Sequence, residues 1–386
     1  TYKDDILAEW APNEKVALEA SIGGSIAGAR TLSCMKHVGV NVAADPLFTF
    51  AYTGVNGGMV LVSADEPGMH SSQNEQDNRN YAKFSKIALF EPSTSQEAKD
   101  MIKEAYRVSE EYDTPVLYRV TTRLCHSKGI VKCDERNEVG VKKYEKNVEK
   151  RVTVPAHARD LRIKVEERLT KLRDYSNLTE LNFMEINDDE IGIIASGVCY
   201  NYAKEVFKDK ASYLKLGFTN PLPDKKIKEF SDKVKKIYVI EENDKFLEDQ
   251  IKAMGIDVIG KDILPYTGEM TPDVIKEAIL NEKVETIDYK KDLVVGRPPT
   301  LCSGCPHRGF FYEIGKRKNV MISGDIGCYS LGFASPYNAL DSIVCMGASL
   351  SVGHGAQQVF NMDYENKMRV VGVLGDSTFF HTGINS

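Results

Sequence analysis

The chain reads as an α/β protein with mainly parallel sheets flanked by helices, in units that follow one another along the sequence. One observation is a rhythm. Short apolar runs at 58–64, 86–90 and 115–121 alternate with a helical stretch at 95–112 headed by Ser95 as N-cap. Such an alternation predicts parallel strands covered on both faces. Another is an interruption: residues 127–187 turn dense in Lys, Arg and Glu, which predicts an exposed connection carrying a surface helix near 158–175. Finally the rhythm resumes twice. Strands are expected at 191–196, 211–216 and 236–241, and after Pro298-Pro299 at 320–323, 342–345 and 369–374. The expected boundaries are a first domain at 1–150, a connection at 151–187, a second domain at 188–295 and a third at 296–386.

Composition narrows the function classes. Of 386 residues, 42% are hydrophobic and 27% charged, the profile of a soluble globular protein. Lys and Arg number 50 against 56 Asp and Glu, a net charge of -6 that gives a phosphate backbone no basic footprint, so no nucleic-acid partner is expected. No apolar run approaches the ~20 residues that span a bilayer, and no signal-peptide pattern opens the chain. The expectation is a cytoplasmic protein without a membrane partner. A disulfide framework is not expected there, and Cys34 and Cys199 read as small buried hydrophobes.

The chemistry gathers toward the C-terminus. The strand at 369–374 reads as buried and is followed by Gly375-Asp376-Ser377 at its carboxyl end, where open α/β sheets bind ligands. Glycine lets backbone approach a phosphate, Asp offers a hard oxygen to Mg²⁺ and Ser adds a hydroxyl. Alone, the same triplet reads as a strand-to-helix turn with Asp or Ser as N-cap. A second turn, Gly324-Asp325-Ile326-Gly327-Cys328, follows the strand at 320–323. Between the two lies a small-residue helix start, Met346-Gly347-Ala348-Ser349, continuing to Gly353-His354-Gly355-Ala356. Two Gly-Asp turns with a close-packed helix between them suit a diphosphate ligand.

Met346-Gly347, Val352-Gly353-x-Gly355-Ala356, a strand and then Gly375-Asp376-Ser377 resemble the diphosphate-binding domain of thiamine-diphosphate enzymes. The resemblance makes Asp376 a Mg²⁺ ligand and Met346 the apolar residue that bends the cofactor. It makes Gly324, Asp325, Cys328, Gly347, Gly375 and Ser377 cofactor-binding positions. It also implies serial thiamine-enzyme domains: pyrimidine-type, transketolase-C-like and an incomplete diphosphate type. Such enzymes need a carboxylate against the aminopyrimidine N1′. Residues 13–30 read as a helix on which Glu14, Ala17, Ser21, Gly24 or Ser25, and Gly28 share a face. Read by itself that stripe is tight packing against a sheet. Glu14 followed nine residues later by Gly23 resembles the family's glutamate helix, with Glu19 pointing elsewhere.

Leu301-Cys302-Ser303-Gly304-Cys305-Pro306-His307-Arg308 carries a CxxC, and Cys328 adds a third thiol. Zinc, dithiol and iron–sulfur readings all begin from such a pair. With Cys328 in the Gly-Asp turn, the set is similar to that of 2-oxoacid:ferredoxin oxidoreductases, which implies a [4Fe–4S] cluster on Cys302, Cys305 and Cys328. Cys345 does not match the fourth position.

Asn13-Glu14-Lys15-Val16-Ala17, the segment 67–77, Leu214-Lys215-Leu216-Gly217, the CxxC-Pro-His-Arg run and Gly324-Asp325-Ile326-Gly327-Cys328-Tyr329 together resemble the α-subunit family of indolepyruvate:ferredoxin oxidoreductases. The chain is then expected to be a piece lacking both ends. The resemblance implies oxidative decarboxylation of an aryl 2-oxoacid to its acyl-coenzyme A, with Glu14 acting at N1′ so that thiazolium C2 loses its proton. Iron–sulfur centres would take the electrons to ferredoxin. A β subunit would complete a hetero-oligomer. His70, Ser71, Ser72 and Gln73, otherwise a polar surface loop, would face the substrate. A non-oxidative thiamine-diphosphate decarboxylase and a non-catalytic nucleotide- or zinc-binding module are the alternatives.

Overall fold

The computed structural model describes residues 5–135, 137–285, 290–362 and 368–386. Its strands are β1 (Thr31–Lys36), β2 (Met59–Asp65), β3 (Ala88–Phe90), β4 (Val116–Thr121), β5 (Asn182–Glu185), β6 (Ile191–Ser196), β7 (Ser212–Leu216), β8 (Phe218–Asn220), β9 (Lys236–Ile240), β10 (Val320–Ser323) and β11 (Arg369–Gly372). They form three sheets, ordered β1-β2-β4-β3-β8, β5-β7-β6-β9 and β10-β11. Pairing is parallel except at the outer strands β8 and β5, which run antiparallel to β3 and β7. The α/β class read from the sequence is the class observed.

The chain divides into two compact units, Glu14–Glu285 and a second made of Thr1–Asn13 with Thr286–Ser386. The larger holds the first two sheets. One continuous core joins them: Leu47, Leu61 and Leu89 from the first sheet's surroundings pack in the same cluster as Ile194, Leu214 and Val239 from the second. β8 ties them further, because it follows β7 in sequence yet pairs with β3. Its Phe218 ring meets Phe90 edge-on at 5.1 Å and Tyr175 at 5.1 Å.

Four local readings change. The surface helix near 158–175 is longer, Pro155–Leu178, and one stripe of it belongs to the core. Leu161, Val165, Arg168, Leu172 and Tyr175 are buried, a stripe repeating every three or four residues that the surrounding charges conceal. The helix Ser95–Glu111 is capped by Thr94, whose hydroxyl accepts from Glu97 N at 3.1 Å, so Ser95 is its first helical residue instead. The strand expected at 342–345 reduces to a single bridge, Ser342 to Ser323, and Val344 and Cys345 are exposed. β11 is half-buried because its sheet has only two strands.

Cys199 is buried as expected, but Cys34 is exposed: β1 is an edge strand whose alternate residues face outward. Among the described residues no helix is long and apolar enough to cross a membrane.

Candidate active site

In the larger unit, helix α1 (Glu14–Ala27) begins at Glu14. Its small residues let it lie directly on β1: Ser21 and Ser33 share a hydroxyl–hydroxyl bond of 2.7 Å, and Ser33 donates to Ala17 O at 3.2 Å. Ser25 is buried and donates to Gly57 O at 2.5 Å. The stripe is therefore a packing face, and Glu14 stands half-buried at its head. Beneath it runs the short helix α2 (His37–Val42), which leaves the carboxyl end of β1. The Glu14 arm rests on Gly39 of α2, where a Cβ would fall 2.7 Å from Glu14 Cγ and 2.9 Å from Oε1.

The 67–77 loop leaves β2 and is pinned at several points. Glu75 Oε1 accepts from Gly68 N at 2.9 Å, Gly268 N at 3.1 Å and Asn243 Nδ2 at 3.1 Å. His70 Nε2 lies 3.1 Å from Glu269 Oε1, and Arg123 also donates to Glu269. Ser72 is half-buried, while His70, Ser71 and Gln73 are exposed. The loop is thus held on the second sheet's segment with its middle residues outward.

Beyond the loop lies a buried charge network that the sequence did not reveal, since its pairs reach from 2 to 162 positions along the chain. Arg79 donates to Asp77 Oδ2 at 2.5 Å and Glu241 Oε2 at 2.8 Å. Arg119 donates to Asp65 at 2.6 Å and Glu91 at 2.8 Å. Carboxyl ends of β3, β4, β6 and β9 bring Glu91, Arg119, Ser196 and Glu242 around a cavity of about 10 Å³, room for about one water. Arg119 Nη2 is buried there without a hydrogen-bond partner among the described residues.

Burial pushes the Glu242 carboxyl up to about 7 from its ordinary 4.5, against the pull of Arg119 and Arg79. The folded protein keeps this proton at pH values where the unfolded chain has lost it. Its contribution to stability is therefore complete below about pH 4.5 and is lost as pH rises through 7. We expect Glu242→Gln to remove this part of the pH dependence, at most about 1.4 kcal/mol per pH unit, in urea unfolding midpoints measured from pH 5 to 8. Parallel curves for wild type and variant would contradict it.

In the smaller unit, the turn after β10 and the turn after β11 differ in kind. Asp325 is fully buried. Its carboxylate accepts from Gly347 N at 2.8 Å, Ser349 N at 2.9 Å and Ile326 N at 2.8 Å. It holds the start of the helix Ser349–Met362 and presents no oxygen to solvent. Gly347, with φ +91° and a notional Cβ 1.9 Å from Thr382 Oγ1, admits only glycine. Thr382 in turn donates to Met346 O at 2.7 Å and leaves the Met346 side chain half-buried.

Asp376 and Ser377, by contrast, are exposed at the carboxyl end of β11, and the Asp376 carboxylate accepts from Ser377 N at 2.8 Å. A Cβ at Gly375 would fall 2.7 Å from the Tyr329 ring, whose hydroxyl bonds Thr378 Oγ1 at 2.5 Å and Ile326 O at 2.7 Å. Tyr329 therefore ties the two Gly-Asp turns together. This exposed Asp-Ser pair after a side-chain-free residue fits a Mg²⁺-diphosphate group.

The thiols behave otherwise. Cys302 and Cys328 are exposed, and Cys305 Sγ lies 3.2 Å from His307 Nδ1. Among the described residues no three His, Cys, Asp or Glu side chains gather to hold a metal ion.

Residues 3–177 match the family described as "Pyruvate flavodoxin/ferredoxin oxidoreductase, thiamine diP-bdg", and residues 325–386 match "Thiamine pyrophosphate enzyme, C-terminal TPP binding domain". Fold, Gly-Asp turns and these matches make the two stretches similar to thiamine-diphosphate-binding enzymes. The chain is similar, over most of its length, to proteins of the 2-oxoacid:ferredoxin oxidoreductase kind. It is 41% identical over 405 residues to "Indolepyruvate oxidoreductase subunit IorA" of Archaeoglobus fulgidus, covering 99% of this chain and 64% of that protein. The protein of that name from Pyrococcus horikoshii is 39% identical, with 99% and 65% covered. The chain thus spans about 64–65% of the length of these curated relatives. Among solved structures, a 2-oxoglutarate:ferredoxin oxidoreductase from Magnetococcus marinus shares the fold, with a TM-score of 0.55 and 16% identity over 72% of this chain and 57% of that one.

Proposed function

We propose that the chain is the catalytic subunit of an enzyme that oxidatively decarboxylates aryl pyruvates, indolepyruvate among them, to aryl-acetyl-coenzyme A and CO₂ while reducing ferredoxin. The observation that carries this reading is the 41% identity, along 99% of the chain, to a protein named indolepyruvate oxidoreductase subunit. A β subunit, ferredoxin and coenzyme A are the proposed partners.

Thiamine diphosphate supplies the electron sink for losing CO₂ from a 2-oxoacid. Glu14 is the proposed proton donor and acceptor at the aminopyrimidine N1′. Asp376 is the proposed residue that would hold Mg²⁺, with Ser377 beside it, while Gly375 leaves room for the Tyr329 ring that ties the two turns together. Met346 is proposed as the apolar support of the bent cofactor, and Asp325 and Gly347 fix the backbone that carries it. Gly324 and Cys328 flank the same turn. His70, Ser71, Ser72 and Gln73 are proposed to address the 2-oxoacid. No electron-transfer step is assigned to Cys302, Cys305 and Cys328.

The test uses the complete enzyme, purified without oxygen. Indolepyruvate should drive ferredoxin reduction only when both thiamine diphosphate and coenzyme A are present. Release of arylacetaldehyde with no acceptor reduced would replace the reading by a non-oxidative decarboxylase, and cofactor-independent behaviour by a binding module. Asp376→Ala should raise the thiamine diphosphate concentration for half-maximal activity at least roughly tenfold, the worth of one charge-assisted contact. An unchanged requirement would remove Asp376 from the site.

A further inference from the structure

Gly39 sits in the middle of α2, a six-residue helix, and is fully enclosed. Glycine inside a helix is about 0.5–1 kcal/mol less favourable than alanine, so the position demands a reason. Its φ is not positive, and the backbone would accept any residue. The reason is occupancy. The space a Cβ would fill is taken by the Glu14 arm along its whole length: Cγ at 2.7 Å, Oε1 at 2.9 Å and Cδ at 3.1 Å.

α2 is itself gripped from its other side by the loop after β2. His37 Nε2 bonds Asn74 O at 3.1 Å. His37 O accepts from Gln76 Nε2 at 3.1 Å and from Asn78 Nδ2 at 3.0 Å. Gln76 and Asn41 exchange a side-chain bond of 2.9 Å. Asn78 is anchored in turn, its backbone N donating to buried Asp65 at 3.0 Å and its amide to Ser63 Oγ at 2.7 Å. A continuous set of contacts thus runs from the polar loop through α2 to the one carboxylate proposed to meet the aminopyrimidine.

We infer that Gly39 is a positioning residue for Glu14: its absent side chain sets where the carboxylate stands, and the 74–78 loop holds α2 at the height that makes this so. The inference rests on Glu14 being the cofactor carboxylate. A methyl group at position 39 meets only a flexible side chain, so the fold yields at Glu14 and not at the helix. Folding and positioning are thereby separable.

In the complete enzyme with its partner subunit, Gly39→Ala should keep or raise the melting temperature. It should leave half-saturation by thiamine diphosphate and the KM for the 2-oxoacid within about twofold and lower kcat roughly tenfold or more, the scale of a misplaced catalytic group. Exchange of the thiazolium C2 proton for deuterium, followed by NMR in loaded enzyme without 2-oxoacid, should slow by a similar factor. The double variant Gly39→Ala with Glu14→Ala should be no slower than Glu14→Ala alone, because alanine has no Cγ to meet the methyl group.

Unchanged exchange in Gly39→Ala, or additive losses in the double variant, overturns the inference. Should Gly39→Ala not fold, Gln76→Ala carries the test: it loosens α2 without touching Glu14, and unchanged exchange there overturns it equally. The underlying reading fails separately, if Glu14→Gln exchanges C2 at the wild-type rate.

Discussion

Glu14→Gln in the complete enzyme should reduce indolepyruvate-dependent ferredoxin reduction by roughly a hundredfold to ten-thousandfold, the range lost when a positioned acid–base group is removed. Glutamine keeps the length and the hydrogen-bonding capacity of the side chain but neither holds nor releases a proton at N1′. The substitution is also neutral for the fold, because Glu14 is half-buried at the first position of α1 and its arm still fills the space over Gly39. Activity measured with saturating thiamine diphosphate, alongside a melting curve, separates chemistry from folding. Retention of most activity by a folded variant would move the cofactor carboxylate elsewhere, with Glu19 next in the helix.

The second large effect is on stability. Arg79→Ala should destabilise the larger unit by about 3–5 kcal/mol, because it strands buried carboxylates without their cation. Asp77 and Glu241 are 5% exposed or less, each pairs with Arg79, and the guanidinium also stacks over Phe246 at 4.9 Å. The measurement is the urea unfolding curve of the complete subunit. A loss under about 1 kcal/mol would show that water or a neutral carboxyl replaces the pair. Arg79→Lys should fall between, since one ammonium cannot bridge Asp77, Glu241 and the carbonyl of Glu242 as the planar fork does.

What the sequence made legible follows from how local each signal is. β2, β4, β6 and β10 are apolar runs flanked by turns and helices, and they stand close to where they were expected. β1 was missed because an edge strand alternates buried and exposed positions and carries Ser, Cys and Lys among its apolar residues. β8 was missed because three residues, Phe218, Thr219 and Asn220, are too few to show any period. Glu14 and Asp376 were singled out through motif spacing and remain proposals. Gly39 was not, although a glycine inside a short helix directly after a strand is a signal that some other side chain fills its place. Arg79 looked like one more charged residue. Only the fold brings it to Glu241, 162 positions away.

β8 bears on how the polypeptide is made. Until it arrives, β3 ends the first sheet with an open edge: Phe90 lacks the Phe218 ring, Glu91 lacks the Thr219 hydroxyl that bonds it at 2.7 Å, and the carbonyls of Ala82 and Ile87 lack the Asn220 amide. A ribosome that has released only the first 150 residues has therefore released a sheet with a sticky margin. The first sheet closes only after residue 220 has left the exit tunnel. The nascent first domain waits for its neighbour, and the two are best regarded as one unit of synthesis and of quality control.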